Sequence, residues 1–208
     1  DSNGLDDIYL WDERNRSTKL LSYGPDTFTP ANGSSLAPRI SGNGRFVVYE
    51  TAGTNLVPGD SNIHVDIIRQ DVQSGARVRV TPDSANGSAR GADLSTDGRY
   101  VSFVSDASNL VITPDTNALP DAFRADLQTA TLLRVSVSGA GNQGSNTSGV
   151  ASGVSEAAIS GDGSRVAFLT DFVDGDFSAG NSTLSQRRPF LRNLTNNTTT
   201  YVANVPAT

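Results

Sequence analysis

Three segments share the spacing D-x-N-x-x-x-D: Asp1, Asn3, Asp7; Asp60, Asn62, Asp66; and Asp115, Asn117, Asp121. Carboxylate and amide oxygens are hard ligands, and calcium gathers about 6–8 of them, with loop carbonyls filling the set. Calcium is therefore the cofactor this pattern suggests, with Asp60, Asn62, Asp66, Asp115, Asn117 and Asp121 as the metal ligands. The spacing is not that of an EF-hand, because the third short-range ligand, the glycine and the distal glutamate are missing. The same residues also suit plain turns: Asp and Asn close Asx-turns on their own backbone, and the last Asp opens a strand.

Catalytic chemistry finds less to work with. His64 is the single histidine, and the equivalent places in the other copies hold Leu5 and Leu119. No nucleophile elbow G-x-S-x-G, no H-E-x-x-H and no phosphate loop G-x-x-x-x-G-K-[ST] occurs. Two carboxylates would suffice for glycoside hydrolysis, but nearly every Asp falls at a predicted turn. There is no cysteine, which removes disulfides, thiolate zinc sites and cysteine nucleophiles together. The expectation is a protein with no catalytic residue. Tyr9 and Trp11, on one predicted strand, are either a ligand platform or core.

A net charge of −6 and a pI near 4.7 argue against nucleic acid, which demands clustered Lys and Arg. No apolar run reaches the roughly 18 residues of a membrane span. Lys19 is the only lysine, Ser, Thr, Asn and Gly are abundant, and the chain opens on Asp1 with no methionine. This composition points to a processed or cut chain from an exported bacterial protein, periplasmic or extracellular. The N-x-[ST] sequons at Asn15, Asn32, Asn86, Asn146, Asn181, Asn193, Asn196 and Asn197 are what such a composition produces by chance.

These residues recur because the chain itself recurs. APRISGNGRFVVYETAGTNLVPGDSN at 37–62 returns as GADLSTDGRYVSFVSDASNLVITPDTN at 91–117, and more loosely at 156–183. A second block, DSNIHVDIIRQDVQSGARVRVT at 60–81, returns at 115–136 and opens the chain at 1–22. Asp1, Asp60 and Asp115 are equivalent, 59 and 55 residues apart; in the last copy Ser182 takes that place and Arg188 replaces Asp7, Asp66 and Asp121.

Alternation and turn chemistry predict four short strands per repeat. In the clearest copy the first is 38–41, and Gly42, Asn43 and Gly44 supply a tight turn with positive φ. The second is 45–50, where Phe46 with Val48 and Val47 with Tyr49 give each face an apolar pair, so both faces need cover. The third is 66–71 and the fourth 77–81. Four-stranded units sandwiched between neighbours are propeller blades. The fold class expected is all-β: blades of four antiparallel strands, about three and a half in number, with almost no helix. The half blade is 1–22 and the full blades are 37–81, 91–136 and 156–204.

The S-x-D-G-R-Y-V-S-F pattern at 95–103, echoed at 41–49 and 160–168, resembles the repeat of TolB and related exported bacterial β-propellers. It also resembles the propeller that caps prolyl oligopeptidase-like hydrolases. The Asp box of sialidases differs: Asp97 and Gly98 are adjacent, as are Asp162 and Gly163, and no Trp follows.

The resemblance implies a non-catalytic binding or scaffold module with a protein or glycan partner. The alternatives are the accessory propeller of an exported hydrolase and a structural subunit of a surface layer or filament. An incomplete ring also exposes blade edges, which favours self-association.

Overall fold

The computed structural model describes residues 3–26, 29–145, 152–173, 175–178 and 187–202. They form one two-stranded and three four-stranded antiparallel sheets. The first sheet pairs β1 (Tyr9–Asp12) with β2 (Ser17–Leu20). The first full blade is a meander of β3 (Ser35–Ile40), β4 (Phe46–Thr51), β5 (Asp66–Asp71) and β6 (Arg77–Arg79). The second repeats it with β7 (Ala89–Leu94), β8 (Tyr100–Ser105), β9 (Asp121–Asp126) and β10 (Thr131–Arg134). The third uses β11 (Val154–Ile159), β12 (Arg165–Thr170), β13 (Arg188–Asn193) and β14 (Thr198–Tyr201). A single 3-10 turn, Gly175–Ser178, is the only helical element among the described residues.

The second and third strands of the first two blades are buried on both faces, whereas β12 and β13 of the third alternate buried with exposed or half-buried positions. The core accordingly lies between sheets. Val47, Tyr49 and Ile68 pack with Ile8 and Leu21, which flank the two-stranded sheet. On the opposite face Val48 and Ile67 pack with Leu94, Phe103 and Phe123 of the second blade. Val104 and Ala122 then meet Val154, Val166 and Phe168 of the third. The first strands of successive blades touch, β3 against β7 and β7 against β11, and line the inner side of the array.

One backbone hydrogen bond recurs at each boundary: Ser35 N donates to Asp6 O, Ala89 N to Val65 O and Val154 N to Pro120 O, at 2.8, 2.9 and 2.8 Å. The two-stranded sheet therefore sits where the outer half of a blade would sit.

Three expectations need correction. The first strand starts at Ser35 rather than at residue 38. A bulge between Leu36 and Arg39, with Ala37 at φ 51°, breaks the alternation that would have revealed it. The fourth strand stops at Arg79, because Thr81 turns its hydroxyl back onto Asp66. Tyr9 and Trp11 are not core: they are 49% and 56% exposed, whereas the equivalent Ile68 and Gln70 are fully buried. The face that carries Ile68 and Gln70 is covered by the preceding sheet, and no described residue covers that face of β1.

Candidate functional site

The acidic repeat forms a clasp ahead of β1 and at the heads of β5 and β9. Asp66 accepts the hydroxyl of Thr81, whose oxygen in turn accepts Ile67 N at 3.2 Å. Asp121 and Ser136 repeat this at 2.7 Å, with Ala122 N donating back at 3.0 Å, and Asp7 and Ser22 repeat it again. The hydroxyl was visible in the sequence as the Ser or Thr closing each block, Ser22, Thr81 and Ser136.

Asn62 accepts His64 N on Oδ1 at 2.7 Å and turns its amide nitrogen to Asp66 at 3.3 Å. Asn3 does the same toward Leu5 and Asp7. Asn117 accepts Leu119 N and donates to Gly144 O at 2.8 Å. Asp115 caps Asn117 N and Ala118 N, both at 3.1 Å. Asp1 lies outside the described residues, as do Ser182, Asn146 and Asn181.

Positive charge comes to these carboxylates from the chain itself. Arg79 Nη1 stands 3.0 Å from Asp60, 3.1 Å from Asp83 and 3.6 Å from Asp66. Arg134 Nε stands 2.8 Å from Asp121, both side chains being almost fully buried. Among the described residues no three His, Asp or Glu side chains are grouped to hold a metal ion. Burial lifts Asp66 above its ordinary value, and lifts Asp121 to about 6 despite Ser136 and Arg134. In the third blade Arg188 replaces the Asp and donates to Phe172 O and Phe177 O at 2.5 and 2.9 Å.

A second recurring contact joins neighbouring blades. Arg69 stacks on Phe46 with its guanidinium carbon 4.5 Å from the ring centre, and donates to Gly98 O of the next blade at 2.9 Å. Arg124 stacks on Tyr100 at 4.7 Å and donates to Gly163 O at 3.0 Å. The glycines lie against the same rings, since a Cβ on Gly98 or Gly163 would come within 2.3 Å of Phe46 or 2.1 Å of Tyr100. Both also hold φ near +70°. The D-G-R-Y motif is thus a docking device: a glycine that seats on the previous blade, then an aromatic that receives the next. Arg45 and Arg99 complete it by pairing with Asp71 and Asp126 at 2.8 and 2.7 Å.

Where the first strands meet, the described residues enclose a trough of about 270 Å³. Small residues make up much of its lining, Ala37, Gly91, Ala92, Ala157 and Ala158, and Arg39, Asp93 and Glu156 supply charge of both signs. Asp93 is held by Ile159 N at 3.0 Å, and Glu50 accepts Gly91 N at 2.7 Å at a second bulge, between Arg90 and Asp93 of β7. Sequence reasoning missed the trough because adjacent small residues, Gly91 with Ala92 and Ala157 with Ala158, carry little amphipathic signal. His64 is remote from it in the repeat, in the loop before β5.

No protein-family model matches this chain, and no curated protein matches it in sequence. Solved structures do match in fold. TolB from Acinetobacter baumannii superposes over 95% of this chain and 37% of its own, with a TM-score of 0.54 and 17% identity. The chain has the fold of TolB-like β-propeller blades. An oligogalacturonate lyase from Vibrio parahaemolyticus matches 96% of the chain and 46% of its own length, at TM-score 0.56 and 13% identity. The β-propeller domain of the Trilobed protease from Pyrococcus furiosus, described as having an open velcro topology, matches 85% and 45%, at 0.50 and 14%. The chain therefore spans less than half the length of each of these three structures. No helix among the described residues is long and apolar enough to cross a membrane.

Proposed function

We propose that this chain is a non-catalytic binding module of an exported protein, and that the inner trough takes an extended segment of a protein partner. The observation that carries this is the lining of the trough: five Ala and Gly positions let a partner main chain approach closely, while Arg39, Asp93 and Glu156 offer it charged contacts. The trough brings no nucleophile and base together. Likeness to TolB supports a binding role, and likeness to the propeller domain of a protease supports the second reading, an accessory domain of an exported hydrolase. The D-x-N-x-x-x-D residues serve, in this reading, as clasps that fix β1, β5 and β9.

Peptides selected for binding to the chain test the proposal when titrated against Ala158→Trp, which fills the exposed edge of the trough. Loss of binding with an unchanged melting temperature supports it. Equal binding by the variant moves the site elsewhere. Turnover of a peptide, ester or glycoside by the isolated chain overturns the non-catalytic reading.

A further inference from the structure

Equivalent arginines at the ends of β6 and β10 stand in different company. In the first blade Arg79 meets three carboxylates, those of Asp60, Asp66 and Asp83. Arg134 meets one among the described residues, Asp121, at 2.8 Å. Asp115, equivalent to Asp60, turns instead to Asn117 N and Ala118 N, and Ser138 stands in the place of Asp83. Arg134 is 6% exposed. Its Nη1 reaches Thr113 O and Pro114 O at 3.4 and 3.3 Å, while its Nη2 is buried with no hydrogen-bond partner among the described residues. A buried charged donor without an acceptor is costly, so an anion that reached it would be held.

The groove beside Arg134 differs from its counterpart in the same sense. It encloses about 410 Å³, against about 180 Å³ at the preceding blade boundary. Arg79 and Asp126 both line the smaller groove, so charge of each sign is present there. Arg134 and Arg192 line the larger one, with no Asp or Glu among its described lining residues. Arg192 takes the place of Ala125 and is fixed by donating from Nη1 to Ser138 O at 3.0 Å and from Nη2 to Asn197 Oδ1. Val111, Ile112, Leu132 and Leu133 add apolar surface, of which Ile112 is fully exposed and Leu133 46% exposed. We propose that this groove binds a small organic acid, with its carboxylate on Arg134 where Asp83 stands beside Arg79, and its apolar body against Leu132 and Leu133. A guanidinium offers a carboxylate a matching fork of donors, and the volume falls in the range of small-molecule sites, about 300–1,000 Å³. The groove shares no residue with the inner trough, so the two sites stand or fall separately.

Amide NMR shifts of the full chain titrated with phenylpropionate test this, with phenylpropionamide and acetate as controls. The expected result is saturable shifts at Leu133, Arg134 and Ser138. Binding should be weaker by at least about tenfold for the amide, which lacks the charge, and for acetate, which lacks the apolar body. Ser138→Asp supplies the carboxylate that the first blade already has, and should abolish binding while the melting temperature holds or rises. Leu133→Asp, at a half-exposed position, puts a negative charge into the groove wall and should abolish binding as well, which keeps the test open if Ser138→Asp does not fold. No saturation by the acid up to about 10 mM overturns the proposal. Equal binding of the amide or of acetate overturns it too, as do undiminished binding by either folded variant and shifts confined to the inner trough.

Discussion

Arg124 of the second blade donates across the blade boundary to the carbonyl of Gly163 at 3.0 Å, while its guanidinium lies on Tyr100. One side chain thus ties a ring on its own sheet to the turn of the next. Arg124→Met keeps the apolar stem and removes both contacts, and should cost about 1–2 kcal/mol of unfolding free energy. Arg124→Lys should restore only part of it, since an ammonium cannot stack as a planar fork does. Arg90→Met, on an exposed position of β7, should stay within about 0.5 kcal/mol of the parent. Chemical denaturation of the three variants checks the order.

Asp121 is buried beside Arg134 and Ser136, and burial raises its carboxyl to about 6. The folded chain therefore holds a proton there that the unfolded chain has released above the ordinary carboxylate range near 3.8. Its contribution is fully present below that value and is lost as pH rises through about 6, so this group makes the fold more stable as pH falls from 7 toward 4. Asp121→Asn should flatten that part of the stability curve. Asp71 and Asp126, held low chiefly by their hydrogen bonds to Arg45 and Arg99, act in the opposite direction and lose their contribution only at more acid pH. Denaturant melts every half unit from pH 4 to 7 on both proteins measure the difference.

Arg79 already supplies the positive charge among Asp60, Asp66 and Asp83. Removing divalent metal with a chelator should therefore leave the melting temperature where it was, whereas Arg79→Ala should lower it by leaving buried carboxylates unpaired. A calcium-dependent rise that disappears in Asp60→Ala would instead make these residues metal ligands.

The repeat made the blades legible because the second strand of the first two blades has to satisfy two faces at once, and Phe46 to Tyr49 show that demand residue by residue. What escaped was set by partners far away in sequence. Ala37 takes a left-handed backbone that only the bulge against β4 explains, and so the start of β3 was hidden. Asp60 and Asp66 read as cation ligands, and the Arg79 that stands beside them was not legible as their partner because it lies in the next strand. Tyr9 and Trp11 have core-forming side chains, yet their burial depends on a neighbouring sheet rather than on their own strand. The D-G-R-Y glycine was legible as a turn residue but not as a docking surface, since its ring lies in the preceding blade.

The central claim is that successive repeats dock as blades through a glycine on the previous aromatic, and three equivalent glycines test it within one chain. Gly44, Gly98 and Gly163 all hold φ near +70°, but only Gly98 and Gly163 face a ring. Replacing each by Ala imposes the same backbone strain, about 1 kcal/mol, and adds an overpacking cost of about 1–3 kcal/mol only where the ring stands. Equilibrium unfolding of the three single variants should therefore show Gly98→Ala and Gly163→Ala clearly less stable than Gly44→Ala. Equal losses at all three positions would contradict the docking arrangement and the blade-on-blade fold built from it.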